Sequence, residues 1–155
     1  MTSLPVLHQI QHEQADCLVA CAAMVLEYCG ISYQYSRLSR LLKTRKQGTV
    51  FGNLVLLRKL GVDVQVSESN DFDNISLITA SIKDSNPLIV AVLTSELQTY
   101  WTERALHAVV VVGIDGPNVM INDPVFEKAP QIVPINEFLI AWGEQDYRYA
   151  ILTKK

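Results

Sequence analysis

Residues 11–30, QHEQADCLVACAAMVLEYCG, govern the reading of the whole chain, because they place a cysteine where a helix should begin. Leu18, Cys21, Ala22, Val25 and Tyr28 or Cys29 recur at three-and-four spacing and mark an apolar helical face. Asp16 is a good N-cap directly before Cys17, and Gly30 is a natural residue just past the end, so the pattern predicts a helix of about three turns. A thiol in the first turn of a helix lies near the positive end of the helix dipole and near unpaired backbone N–H groups, both of which favour a thiolate. Cys17 is therefore a candidate nucleophile. Cys21 and Cys29, deeper in the apolar helix, read as small core hydrophobes, the usual fate of a free cysteine.

The chain around this helix has 155 residues, enough for one core that buries close to ~70 % of the unfolded surface without metal or disulfide staples. Residues 1–155 are expected to form a single domain. A net charge of -3 gives no electrostatic case for nucleic acid or an anionic membrane as partner. No run of about 18 apolar residues occurs, and the start, MTSLPVLHQIQ, lacks a basic segment followed by an apolar one. Neither a membrane span nor a signal peptide is indicated, and a cytoplasmic location is expected. Three cysteines, two of them four apart on one helix, do not resemble a disulfide framework and suit a reducing compartment. Without a second pair of ligands they do not match structural zinc spacings either, so no metal and no other cofactor is expected.

Outward from the first helix, residues 1–10 contain Pro5 and read as an extended arm. Ser36 can cap a second helix running to about Leu42 or Lys43, whose basic residues Arg37, Arg40, Lys43, Arg45 and Lys46 read as a solvated face. Asn53 can cap a third helix, LVLLRKL, that stops at Gly61, and VDVQV then alternates like a half-buried strand. Residues 71–83 give a fourth helix, weakened by β-branched residues. From Pro87 the texture changes to strands: LIVAVLT, HAVVVVGI, and VMIND after the turn residues Asp115, Gly116, Pro117 and Asn118. The last two strands read as a hairpin. An extended piece from Gln131 to Ile135, a short helix EFLIAW capped by Asn136, and an edge or central strand YRYAILT complete the chain. Helices crowd the N-terminal half and strands the C-terminal half, the pattern of an α+β fold in which a helical layer packs on an antiparallel sheet.

A nucleophilic cysteine needs a base within hydrogen-bond reach, an acceptor that orients the base, and donors for the oxyanion. His8 and His12 precede the helix, whereas His107 heads four consecutive valines, an unusual residue for the end of a core strand. Asp123 ends the next strand, so the hairpin returns it toward the end where His107 lies. Whether the two side chains share a face depends on register, which the Asp115 to Asn118 turn does not settle.

Gln11, then Asp16-Cys17, Ala20, Cys21, Met24, Tyr28 and Gly30, resemble the N-terminal signature of the bacteriocin-processing cysteine peptidases. These are papain-like domains that usually head ABC exporters and cleave leader peptides after a double glycine. His107 with its apolar strand, Asp115, and Ile121-Asn122-Asp123-Pro124 resemble the family's second block. The resemblance implies a papain-like fold and a cysteine peptidase acting on a peptide or protein, served by a separate ABC exporter as a possible partner. Carried over by position, it makes Cys17 the nucleophile, His107 the base and Asp123 the acceptor that orients the imidazole. Gln11 and the Cys17 backbone N–H would form the oxyanion hole.

Two features depart from the family. Leu18 follows the cysteine where Gly is usual, which is expected to narrow or reshape the cleft. The chain also lacks a GxxxxGK[ST] phosphate loop, so a free-standing relative or an excised domain is expected. Two rival functions use the same residues. A papain-like thiol enzyme can transfer an acyl group or deamidate glutamine, and a peptidase-like domain can bind a peptide without cutting it.

Overall fold

Val109 to Val112 alternate between the two faces of one strand, and both faces are buried. That arrangement organises the computed structural model, which describes residues 2–155; the first residue of the expected arm lies outside them. In chain order the elements are β1 (Thr2–Ser3), α1 (Cys17–Tyr28), α2 (Tyr35–Leu41), a 3₁₀ helix (Phe51–Leu60), β2 (Val62–Glu68) and α3 (Asn74–Lys83). There follow β3 (Leu88–Leu93), a 3₁₀ turn (Thr94–Glu96), β4 (Leu106–Asp115), β5 (Asn118–Asn122), β6 (Gln131–Pro134), α4 (Ile135–Gly143) and β7 (Arg148–Lys154).

The strands form one antiparallel sheet in the order β2-β7-β3-β4-β5-β6, and β1 pairs with the far end of β4. The last strand in sequence is thus an interior strand, held between β2 and β3. One face carries α1, α2 and the long 3₁₀ helix over Ile89, Ala108, Val110, Val112 and Leu152. The expected helical layer is there. A second layer covers the other face, where α3 and α4 bury Ile78, Phe138 and Trp142 against Val90, Val109, Val111 and Ile121. This is why β3 and β4 read as continuous apolar runs and not as alternating strands. Each fully buried valine contributes about 1.5–3 kcal/mol relative to exposure, and the run of four ties both layers to one strand.

The helix α1 is enclosed on all sides, with every residue from Leu18 to Leu26 buried. The three-and-four stripe expected from its sequence is therefore only part of its apolar surface, as befits a core helix. It ends as expected. Gly30 is left-handed (φ 74), its N–H reaches the Glu27 carbonyl, and the Ile31 N–H reaches Leu26 at 2.9 Å, which completes a Schellman motif.

The helix starts agree only in part with expectation. Asp16 holds the N-cap position of α1 as expected, but its side chain makes no capping bond; its Oδ2 accepts the Glu13 N–H at 3.1 Å and closes the preceding turn. The second helix begins at Tyr35, before Ser36, and α4 begins at Ile135, before Asn136. Asn53 lies inside the 3₁₀ helix, and its amide donates to the Leu42 carbonyl at 3.0 Å, joining that helix to the end of α2. The fourth predicted helix starts only at Asn74, because Asn70 Oδ1 accepts the Phe72 and Asp73 N–H groups and holds residues 70–73 in a turn.

The β4–β5 hairpin closes through Gly116 (φ 58) and Pro117, with Asp115 opposite Asn118. Pairing is regular to Gly113↔Met120, then shifts by one residue at Val112, so that Val111 faces Ile121 and Val110 faces Asn122. Val112 is the extra residue of a β-bulge. Its carbonyl accepts the Leu4 N–H at 2.7 Å, so the N-terminal arm anchors on the bulge. A side chain at Gly113 would meet the Thr2 carbonyl oxygen at 2.5 Å and Ser3 Cα at 2.9 Å, and glycine is what lets β1 approach.

Candidate active site

The bulge decides which face Asp123 takes. Directly opposed residues share a face. A regular hairpin from the Asp115↔Asn118 pair would set Asp123 opposite Val110, on the reverse face from His107. The shift at Val112 sets Asn122, the last paired residue, opposite Val110, so continued alternation carries Asp123 to the face of His107, Val109 and Val111. There His107 Nε2–H donates to Asp123 Oδ1 at 2.7 Å, with both side chains buried.

Asp123 is filled with donors. Its Oδ1 also accepts the Val125 N–H at 3.0 Å, while Oδ2 accepts the Tyr100 hydroxyl at 2.8 Å and Trp101 Nε1–H at 2.9 Å. Burial alone would push this carboxyl up, but the bonds from His107, Val125 and Trp101 outweigh it and hold it below the ordinary 3.8. Burial likewise opposes charge on His107. The Asp123 bond and the adjacent Cys17 outweigh that too, and raise His107 from 6.5 to about 9.

With Nε2 engaged by Asp123, Nδ1 is the ring nitrogen left for Cys17, which is only half-buried at the head of α1. Because Asp16 turns away, no side chain caps α1, and the first-turn N–H groups stay unclaimed by a cap beside Cys17. Cys21, one turn further in, is fully buried, and burial above all raises its thiol. Cys29 is half-buried with its thiol directed at the Leu152 carbonyl, 3.6 Å away.

Cys17 and His107 line an open cleft of about 830 Å³, a size ordinary for a ligand site. Gln11 lines it as well. Its amide nitrogen donates to the Glu13 and Gln14 carbonyls at 2.9 and 3.0 Å, its Oε1 is buried without a partner, and its backbone N–H holds the Pro124 carbonyl. Ile10, Val50, Leu106 and Val125 give the cleft an exposed apolar rim. Leu18 is 2 % exposed and packs into the core, and it also lines the cleft wall beside Cys17. His12, at the rim, stacks on Tyr35 with ring centroids 3.6 Å apart, and His8 Nε2 donates to the Phe126 carbonyl. Neither of these histidines joins the Asp123 network. Among the described residues, no group of three His, Cys, Asp or Glu side chains is clustered to hold a metal ion, and no helix is long and apolar enough to cross a membrane.

Tyr100 and Trp101 are absent from the expected constellation, because residues 94–105 show no periodicity. The signal available was compositional: two adjacent aromatics with polar tips in an otherwise polar stretch, each of which needs a partner once buried.

Residues 6–155 match the model of the Peptidase C39 family. The chain is 32 % identical over 133 residues to the lactococcin-G-processing and transport ATP-binding protein LagD of Lactococcus lactis subsp. lactis. That match covers 85 % of this chain but 17 % of LagD, so the chain spans about a sixth of that relative's length. In fold it is similar to a C39-like peptidase from Bacillus anthracis, with a TM-score of 0.80, 18 % identity, and coverage of 100 % and 98 % of the two chains. It is also similar to a double glycine motif protease from an AMS/PCAT transporter, solved in complex with the leader peptide. There the TM-score is 0.76 at 20 % identity, over 99 % of this chain and 95 % of the other. A sheet that presents a buried His–Asp pair to a thiol at a helix start, and a family match that runs almost the whole length, lead to one assignment: this chain belongs to the Peptidase C39 family of cysteine peptidases.

Proposed function

We propose that residues 1–155 form one domain that hydrolyses a peptide bond through Cys17, His107 and Asp123. The observation that supports this most is the buried 2.7 Å bond from His107 to Asp123, which fixes the imidazole and leaves Nδ1 for the thiol. In this reading the Cys17 sulfur attacks the scissile carbonyl carbon as a thiolate. His107 carries the displaced proton on Nδ1 and gives it to the leaving amine, and a thioester on Cys17 remains. Water then attacks the thioester with His107 as base, releasing the acid and restoring the thiol. Asp123 stays ionised throughout, orienting the ring and stabilising its protonated form.

The oxyanion would be met by the Cys17 backbone N–H, which as the first N–H of α1 has no intrahelical carbonyl to bind, and by the Gln11 amide. For Gln11 to donate there, it must exchange one of its bonds to the Glu13 and Gln14 carbonyls for the developing negative charge.

The substrate we propose is a leader peptide cut after a double glycine, the motif named for the AMS/PCAT protease, with the cut made in the cytoplasm and the product passed to an ABC exporter. An open cleft with an apolar rim of Ile10, Val50, Leu106 and Val125 suits an extended leader whose apolar residues precede the two glycines. The test is incubation with a synthetic leader peptide carrying Gly-Gly, read by mass spectrometry. Two fragments split after the second glycine are expected. An intact peptide gaining the mass of a deamidation or of an added amine would replace hydrolysis with the corresponding transfer chemistry, and an unaltered peptide would reject this substrate.

A further inference from the structure

Tyr100 and Trp101 project from a segment that is itself firmly held. The buried Thr94 hydroxyl donates to the Glu103 carbonyl at 2.6 Å and accepts the Ala105 N–H at 2.7 Å, while the Tyr100 and Trp101 N–H groups both reach the Leu97 carbonyl. From that base the two side chains converge on a single oxygen atom, Asp123 Oδ2. A carboxylate has about four lone-pair positions, and here four donors occupy them. The rings wall off the same atoms. Trp101 stands edge-on to His107 at 5.2 Å and to Phe126 at 5.1 Å, and Tyr100 packs edge-on to Phe126 at 5.1 Å.

We infer that Tyr100 and Trp101 are positioning residues of the peptidase, locking the Asp123 carboxylate so that Oδ1 stays against His107 Nε2 and its charge survives in a dry site. The inference rests on the assignment of Cys17, His107 and Asp123 proposed above. Turning the carboxylate would break four hydrogen bonds together, whereas with Oδ2 unheld only the two at Oδ1 would resist it. An ionised carboxylate buried without donors is also strongly disfavoured. The phenol remains a donor throughout, since burial and then the facing carboxylate push Tyr100 far above its ordinary titration range.

The test uses iodoacetamide alkylation of Cys17 against pH, followed by peptide mapping, and needs no substrate. The titratable groups facing His107 are Asp123 from the end of β5 and Cys17 from α1, with His12, Glu13, Glu103 and Arg148 on the same cleft. In the parent protein, titration of His107 gives an inflection in the alkylation rate. In Tyr100→Phe and in Trp101→Phe, which each remove one donor and keep a ring, that inflection moves to lower pH, because a loosened carboxylate supports the imidazolium less well. In an Asp123→Asn background the same two substitutions move nothing further. A merely structural role would not produce that dependence. An inflection that stays at or above the parental pH in both single variants overturns the inference, as does an equal shift with and without Asp123. Should Cys17→Ala or His107→Ala retain peptide cleavage, it is the underlying assignment that fails, so the two failures are distinct.

Discussion

His107 and Asp123 meet across 2.7 Å although one lies near the start of a strand and the other follows the strand beside it; both are buried, and His107 lines the cleft that Cys17 also lines. Raising one partner and depressing the other makes them a charged pair over a wide pH range. For His107, held at about 9 against an ordinary 6.5, the pair's contribution to stability is complete below 6.5 and is lost as pH rises through about 9. For Asp123, held below 3.8, the contribution is complete above 3.8 and is lost as pH falls through the depressed value.

The rate should follow that pair on its alkaline side. In the proposed mechanism peptide cleavage needs the imidazolium as proton donor, so kcat/KM is expected to fall as pH rises through about 9. Asp123→Asn should move this limb to lower pH, since the carboxylate is what favours the protonated ring. A pH–rate profile of both proteins measures the shift, and coincident limbs would remove Asp123 from the role.

Cys17→Ala is expected to abolish cleavage with the melting temperature nearly unchanged, because the half-buried thiol heads its helix. Cys21→Ala should behave in the opposite way, keeping turnover while its fully buried site loses about 0.5–1.5 kcal/mol, comparable to removing one buried methyl. Activity and thermal denaturation on both variants separate the two thiols. Full activity in Cys17→Ala would discard it as the nucleophile.

Removing the proposed base, His107→Ala, should lower turnover ~10²–10⁴-fold, whereas His12→Ala should stay within a few-fold, because His12 stacks on Tyr35 outside the Asp123 network. A large loss at His12 with none at His107 would relocate the chemistry to the N-terminal arm.

Gln11→Ala should depress kcat ~10²–10³-fold with little change in KM, since an oxyanion donor acts only in the transition state. Steady-state kinetics on the synthetic leader peptide decide this. A change confined to KM would make Gln11 a binding residue instead.

Gly113→Ala should destabilise the fold by about 1–3 kcal/mol, as overpacking does, by driving a methyl into the Thr2 and Ser3 backbone. Deleting residues 1–3 should relieve most of that loss, leaving only the flexible Met120 side chain in the way. Denaturant melts of the four combinations test it; a penalty that persists without β1 would place the strain elsewhere.

Much of this was legible in sequence because it is local. The three-and-four pattern in α1, the Gly30 stop and the Gly116-Pro117 turn each depend on near neighbours, and the structure has them where the spacing puts them. The expected capping bonds did not form because the Asp16 and Asn53 side chains found partners in the adjoining turn and at the end of α2, which no helix pattern records. The second helical layer was hidden for a related reason: Val109 to Val112 read as a buried strand whatever covers it. Tyr100 and Trp101 depended on a fold that had first to carry Asp123 to them.

The bulge at Val112 leaves the two arms of the hairpin unequal, and this bears on how such sites can be found by counting. His107 and Asp123 stand 16 positions apart here, with one residue lying outside the ladder. Deleting Val112 would heal the ladder while preserving the partners Val111↔Ile121 and Val110↔Asn122, so His107 and Asp123 would still face the same way at a spacing shorter by one. The loss would fall instead on Leu4, whose N–H would have no Val112 carbonyl to bind. Spacing between the two blocks is thus an adjustable quantity, and a fixed-length pattern would pass over chains that build the same pair of side chains with a straighter strand.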